Sequence, residues 1–386
     1  MRRTWAEIDI DALKFNFTNI RKITNPNARI MAVVKADAYG HGYSECCRTL
    51  LECGVDSFAV AMVGEAKELR RIGITAPVLV LGAIAPDEVD EIVVNDITAT
   101  VFDTRSARLL SDAAVRLDSN VKIHLKIDTG MSRLGFVSGD DNSAVISEIL
   151  EISKMPGIVI DGIFSHFACA DEENREYTQM QLKRFLKLAD ELESVGLKIP
   201  CRHIANSAGI MMYPEAHLDM VRAGIILYGY HPSDEVDKSK LPLKPVMTLK
   251  SHVSYIKEVE AGKGVSYGKT YITDKKTKIA TIPVGYADGY VRCLSHKAKI
   301  EAGGVLCDVI GRICMDQCMI DVTNVNNISI GDEVIIFGGG QISADDVARL
   351  MDTINYEVLC LVSKRIPRIY KEKGREITTL NYLDEI

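Results

Sequence analysis

"IMAVVKADAYGHG", residues 30–42, decides how the rest of the chain is read. Ile30, Ala32, Val33 and Val34 make a short apolar run with no polar alternation, the pattern of a strand buried on both faces in a parallel sheet. Lys35 ends the run, and the turn-forming "DAYGHG" follows it. A buried ammonium must find a partner or give up its proton. The bland alternative is a lysine that reaches water along its apolar stem.

Outward from this strand, apolar runs alternate with amphipathic helical patterns as far as about residue 230. The strand candidates are "IMAVVK", "SFAVA", "VLVLG", "ITATV", "VKIHLKI", "IVIDGIF", "CRHIAN" and "MVRAGIIL". Helical periodicity fills the gaps at 64–73, 104–117 and 175–196. Eight strands alternating with helices predict an α/β fold, an N-terminal (β/α)8 barrel. After the polar, proline-bearing stretch 231–245 the texture changes to short strands joined by glycine turns, with one clear helix at "SADDVARLMD", 343–352. This predicts a C-terminal mostly β domain. The division expected is 1–235 for the barrel and 236–386 for the second domain. "TWAEIDI" near the start alternates like a strand, and the sequence does not say which domain holds it.

Bulk properties narrow the function. The 386 residues carry 47% hydrophobic side chains, enough for large cores, and a net charge of −7 without a basic run, which argues against nucleic acid as the main partner. No apolar run has the length of a membrane span, and the N-terminus lacks the apolar stretch of a signal peptide. Ten scattered cysteines without a C-x-x-C pair suggest reduced thiols and a cytoplasmic location. Cys314 and Cys318 have no second pair near them, so no metal site is expected. "GKGVSYGKT" at 262–270 has the look of a phosphate loop, but Lys263 stands where the pattern needs glycine.

Barrels place their active sites at the C-terminal ends of the strands. Read in that way, the first strand contributes Lys35, with Tyr39 in its turn. The fifth contributes Lys126, Asp128 and Arg133, and the sixth His166. The seventh contributes Asn206 and Ser207, and the eighth Arg222 and Gly224. Each has an ordinary structural reading taken singly; it is their gathering on one rim that suggests a site. The loops after the last two strands often hold a phosphate, and Ser207 with the backbone at Gly224 and Ile225 suits an anion. A strand-end lysine beside a phosphate site admits two chemistries. One is a Schiff-base aldolase, and the other is an enzyme whose lysine anchors pyridoxal phosphate. A second domain favours the latter, since simple aldolase barrels need none.

Eight stretches in one order, "AVVKADAYGHG", "KIDTGMSRLGF", "SHFACAD", "NSAG", "RAGIILYG", "VSYGKTY", "PVGYADGY" and "GRICMDQ", closely resemble the alanine racemases. These are fold-type III enzymes dependent on pyridoxal 5'-phosphate, and the resemblance runs from "TWAEIDI" to "PRIY". It implies that Lys35 carries the cofactor as a Schiff base and serves as one of two bases. The other base is Tyr267, reaching the site from the partner subunit of a homodimer. It further implies that Tyr39, His166, Ser207, Arg222, Gly224, Ile225 and Tyr356 bind the cofactor, with Arg222 at the pyridine nitrogen. Arg133 and Met315 bind the substrate carboxylate, Lys126 is a candidate for carbamylation, and Tyr286, Asp171 and Arg292 shape the entrance. The activity implied is interconversion of L- and D-alanine, which supplies D-alanine for peptidoglycan. A broad-specificity or serine-accepting racemase shares every catalytic residue named. Serine-preferring relatives depart near the tyrosine matched by Tyr356, which this chain keeps. Decarboxylases of basic amino acids and small pyridoxal-phosphate carriers lack the "VSYGKT" tyrosine or the second domain.

Overall fold

The computed structural model describes residues 3–384, which form two compact units. One comprises residues 14–38 and 43–243. Its eight barrel strands are β1 (Arg29–Val33), β2 (Ser57–Val60), β3 (Val78–Val80), β4 (Thr98–Val101), β5 (Val121–Asp128), β6 (Ile158–Phe164), β7 (Arg202–His203) and β8 (Met220–Ala223), and a short ninth, Phe136–Val137, pairs with the end of β5. The eight pair in parallel in the order β8-β1-β2-β3-β4-β5-β6-β7. Between β7 and β8 there is no regular ladder, but Arg222 N–H donates to the Ala205 carbonyl at 2.9 Å and Arg202 N–H to Asp219 Oδ2 at 2.8 Å. The barrel is therefore nearly closed, as the alternation of strands and helices predicts. Strands β2, β3, β4 and β8 are buried along their length, which is why they lack the alternation of a half-exposed strand, whereas β5 alternates apolar and polar side chains.

The helical periodicities also appear where expected, at Val63–Arg71, Thr104–Arg116 and Glu176–Ser194. The second of these is started by Asp103, whose carboxylate accepts from the Ser106 N–H at 2.6 Å, the usual way of satisfying an open helix end.

The other unit comprises residues 1–13, 39–42 and 244–386. Its largest sheet has seven strands in the order Val305–Asp308, Lys299–Ala302, Glu333–Phe337, Met247–His252, Thr4–Asp9, Arg368–Glu372 and Arg375–Leu380. A second sheet joins Tyr255–Val259, Thr277–Ile282 and Cys318–Asp321. The opening strand is thus a central member of this sheet, antiparallel to one neighbour and parallel to the other. A boundary drawn at residue 235 counts Thr4–Asp9 with the barrel; pairing with strands hundreds of residues away leaves no local mark in sequence. The helix expected at 343–352 is Ala344–Met351, with Ser343 and Asp346 forming a reciprocal cap. A second, Asn355–Cys360, has six residues, too few to show a period, and carries Tyr356. Among the described residues no helix is long and apolar enough to cross a membrane.

Candidate active site

Lys35 lies two residues past β1, and what comes next is unusual. Ala36, Asp37, Ala38 and Tyr39 all have φ between 52° and 57°, and Gly40 has φ 80°. A left-handed run of non-glycine residues costs roughly 1–2 kcal/mol per residue, so its surroundings must hold it. Glu65 does part of this: its two carboxylate oxygens accept from the N–H groups of Ala36 at 2.6 Å and Ala61 at 2.7 Å. Asp37 and Tyr43 complete the clamp. The Asp37 N–H donates to Tyr43 Oη at 3.1 Å, and the Tyr43 N–H to Asp37 Oδ1 at 3.2 Å. Strain of this kind concentrates at functional sites.

The strand ends of the same unit bring Lys126, His166 and Arg222 together. Arg222 is fully buried and donates to His203 Nδ1 at 2.8 Å and His166 Nδ1 at 3.0 Å, and to the Ser165 and Ile204 carbonyls at 2.8 and 3.0 Å. Burial pushes its guanidinium down to about 9, which leaves it charged at neutral pH. His166 is held well below the ordinary imidazole range, first by burial and then by the charges of Arg222, Lys126, Arg133 and Lys35. It is therefore neutral at pH 7. Lys126 is only 7% exposed and lies 4.4 Å over the Phe164 ring. Burial, followed by Arg222 and Arg133, drives its amine well below the usual lysine value. The basic side chains of Lys35, Lys126, Arg133 and Arg222 thus all act on this one imidazole. Asp128, the acid nearest Lys126 in sequence, spends one oxygen on the N–H groups of Gly130 and Ser132 at 2.8 and 3.1 Å. Those contacts fold the loop that carries Arg133. Gly135 completes that loop: with φ 138°, a Cβ there would stand 2.4 Å from Asp128 N.

After β7, Asn206 caps the helix Ser207–Met212, accepting from the Gly209 N–H at 2.9 Å. Ser207 Oγ accepts from the Gly224 N–H at 3.1 Å. Gly224 leads into the 3-10 turn Ile225–Tyr228, which Tyr228 ties to β1 through the Val33 carbonyl at 3.1 Å. Ser207, Gly224 and Ile225 are thus neighbours, as their strand positions predict. Asp171 lies beyond β6, its carbonyl accepting from Ser233 Oγ at 3.2 Å.

The remaining predicted residues belong to the other unit. Tyr39 is buried there with its ring centroid 6.0 Å from that of Tyr356, and burial raises its hydroxyl pKa, with Tyr356 adding to the effect. Tyr267 is 68% exposed in the turn Tyr267–Lys269. Ser266, at φ 63°, pins that turn by donating from Oγ to the Arg312 carbonyl at 2.6 Å. Tyr286 and Met315 are knitted together: the Tyr286 N–H donates to the Cys314 carbonyl at 3.1 Å, and the Ala287 N–H to the Met315 carbonyl at 3.0 Å. Gly285 allows this approach, since a Cβ would meet the Cys314 and Met315 carbonyl oxygens at 2.3 and 2.4 Å. Arg292 begins the short turn Arg292–Leu294.

Two residues that shape the site go unnoticed in the sequence. Glu65 sits in a helical stretch like any solvated acid. His203 lies in a strand whose inward alternation is the only sign that its ring enters the barrel.

Lys35 just past a strand end, with Arg222 and Lys126 buried on the same rim and Arg133 exposed beside it, gives this end of the barrel the basic character of an enzyme site for an anionic compound. The comparisons carry this further. Residues 8–232 match the family model for the alanine racemase N-terminal domain, and residues 246–370 that for the C-terminal domain. The alanine racemase of Clostridium perfringens is 47% identical over 386 residues, covering 99% of each chain. The structure of alanine racemase from Clostridium difficile 630 superposes with a TM-score of 0.96 at 44% identity, covering 99% of both chains. That of alanine racemase from Bacillus anthracis with bound L-Ala-P gives 0.94 at 35%, covering 100% of this chain and 99% of the other. The chain belongs to the alanine racemase family, whose members depend on pyridoxal phosphate. Arg222 and the basic side chains around it fit such a group, which brings a phosphate, a phenolic oxygen and an aldehyde.

Proposed function

We propose that the protein interconverts L- and D-alanine with two bases, Lys35 and Tyr267, as a cytoplasmic homodimer whose active sites each use Tyr267 of the opposite subunit. The observation that carries this reading is the rim of the barrel on which buried Arg222 donates to His166 Nδ1 at 3.0 Å, with Lys126 buried over Phe164 and Lys35 just past the end of β1. Pyridoxal phosphate, when bound, supplies an electron sink that acidifies the substrate α-proton. Lys35 would hold it covalently, and Ser207, Gly224, Ile225, Tyr39 and Tyr356 would hold its phosphate. Lys35 removes or returns the proton on one face of the α-carbon, and Tyr267 on the other. Arg133 and the Met315 backbone N–H bind the substrate carboxylate. Tyr286, Asp171 and Arg292 restrict what enters, so that a methyl side chain is favoured over bulk. The D-alanine formed would feed peptidoglycan synthesis.

Lys126 fits a modified role. Its lowered pKa favours the neutral amine, the form that reacts with carbon dioxide. The resulting carbamate is an anion, which would relieve the repulsion with Arg133 and Arg222.

Arg222 controls which reaction follows proton removal. It has only donors and keeps its charge, so it would hold a pyridine nitrogen in its unprotonated form and would limit the negative charge the cofactor can take up. Arg222→Glu is expected to raise transamination relative to racemisation, read as pyruvate formed per D-alanine formed; an unchanged ratio contradicts this role.

The shared site is tested by mixing two inactive variants, Lys35→Ala and Tyr267→Ala. Re-assorted dimers contain one site with both bases intact, so activity returns to about one quarter of wild type. Absence of any recovery after verified subunit exchange would overturn the shared site.

A further inference from the structure

Branched aliphatic side chains usually fill a barrel of this kind, but between β5 and β7 the interior is polar. His124 on β5 and His203 on β7 are both buried and lie edge to face with ring centroids 5.0 Å apart. His203 is also stacked on Phe164 at 4.8 Å with an interplanar angle of 1°.

The donors dictate the protons. Arg222 has only N–H groups to offer, so His203 Nδ1, 2.8 Å from Nη1, is the acceptor. A neutral His203 then carries its proton on Nε2, which lies 2.9 Å from His124 Nδ1. His124 accepts there and carries its own proton on Nε2, directed at Asp161 Oδ2, 3.7 Å away. That separation is longer than a hydrogen bond, but a carboxylate still favours an N–H over a bare lone pair. Burial lowers the pKa of both imidazoles, and Arg222 adds to the effect at His203, so both are neutral at pH 7.

Gly162 on β6 makes room for this column. A Cβ there would stand 2.6 Å from His124 Cε1 and 2.7 Å from each ring nitrogen. The pairing of β5 with β6 shifts register between Ile123 and His124, beside the same ring.

We infer that Asp161, His124 and Gly162 form a positioning device for Arg222, fixing the tautomer of His203 so that its Nδ1 always accepts from the guanidinium. In the other tautomer an N–H would face the N–H groups of Arg222, and the guanidinium would have to turn away. The logic is that by which a buried carboxylate holds a catalytic imidazole in one tautomer, here acting through a second ring. That Arg222 matters to catalysis rests on the function proposed above; the tautomer itself does not.

The device is read by nitrogen NMR of histidine-labelled protein at neutral pH, with and without pyridoxal phosphate. His124 and His203 are expected to be protonated on Nε2 only, in both states. A proton on His203 Nδ1 would overturn the proposal. Asp161 has a side chain 46% exposed, so Asp161→Asn is expected to fold. In that variant a second tautomer should appear at both rings, and kcat should fall on the order of 10-fold with KM unchanged, the scale typical of outer supporting residues. Asp161→Glu should restore both. Gly162→Ala should abolish the coupling between the two rings. Spectra unchanged in both Asp161→Asn and Gly162→Ala would overturn the proposal. Tautomers lost with kcat intact would support the device and contradict the role given to Arg222.

Discussion

Lys35→Ala is expected to lower kcat for racemisation by on the order of 10⁴-fold or more, since it removes both a covalent anchor and a base. The fold should survive. Lys35 lies just past β1, whose core residues Ile30 and Ala32 are fully buried, and the backbone that follows it is held by the clamp of Glu65, Asp37 and Tyr43. The check is chiral chromatography of alanine after long incubation, with circular dichroism to confirm folding. A variant that keeps even a few per cent of wild-type turnover would assign the base to another residue. Lys126, buried and with a depressed pKa, would then be the first to examine.

Tyr267→Phe is expected to cost roughly 10²–10⁴-fold in racemisation, the usual contribution of a positioned acid or base. Both directions must fall together, because enantiomers have equal free energies in water and the equilibrium cannot shift. The asymmetry appears in isotope exchange. With Lys35 still in place, the α-proton of D-alanine should wash out into deuterated water without inversion, while that of L-alanine should not. Tyr267 is exposed on its own chain, and Ser266 and Arg312 pin its turn, so the loss of one hydroxyl should leave the unit's fold untouched. Equal exchange from both enantiomers would contradict the assignment of faces.

Much of this was legible in the sequence for an identifiable reason. Parallel strands buried on both faces read as unbroken apolar runs, so a lysine, a histidine or an arginine at the end of one stands out. Lys35 past β1, His166 past β6 and Arg222 within β8 stand out in that way, whereas β5 alternates and β7 is the polar pair Arg202–His203, so those two are legible only from their place in the series. Where the signal is long-range it vanished. Thr4–Asp9 reads as a strand, yet its partners begin at Met247 and Arg368. The left-handed run 36–40 is announced only by its glycine; nothing local says that Ala36, Asp37 and Ala38 share its conformation, because Glu65 and Tyr43 help hold it from other elements. His124 and His203 were hidden by the opposite effect. Each looks like an isolated polar residue in a strand, and only closure of the barrel sets one ring against the other. Tyr39, read as part of the lysine's turn, packs with Tyr356 in the second unit.

The most direct test of the account is chiral and isotopic analysis of L-alanine and, separately, L-serine, incubated with purified protein and pyridoxal phosphate in deuterated water. The account predicts equal L- and D-alanine with deuterium at the α-carbon, formed much faster than from serine. No exchange from alanine despite bound cofactor, or serine turned over as fast as alanine, would contradict it.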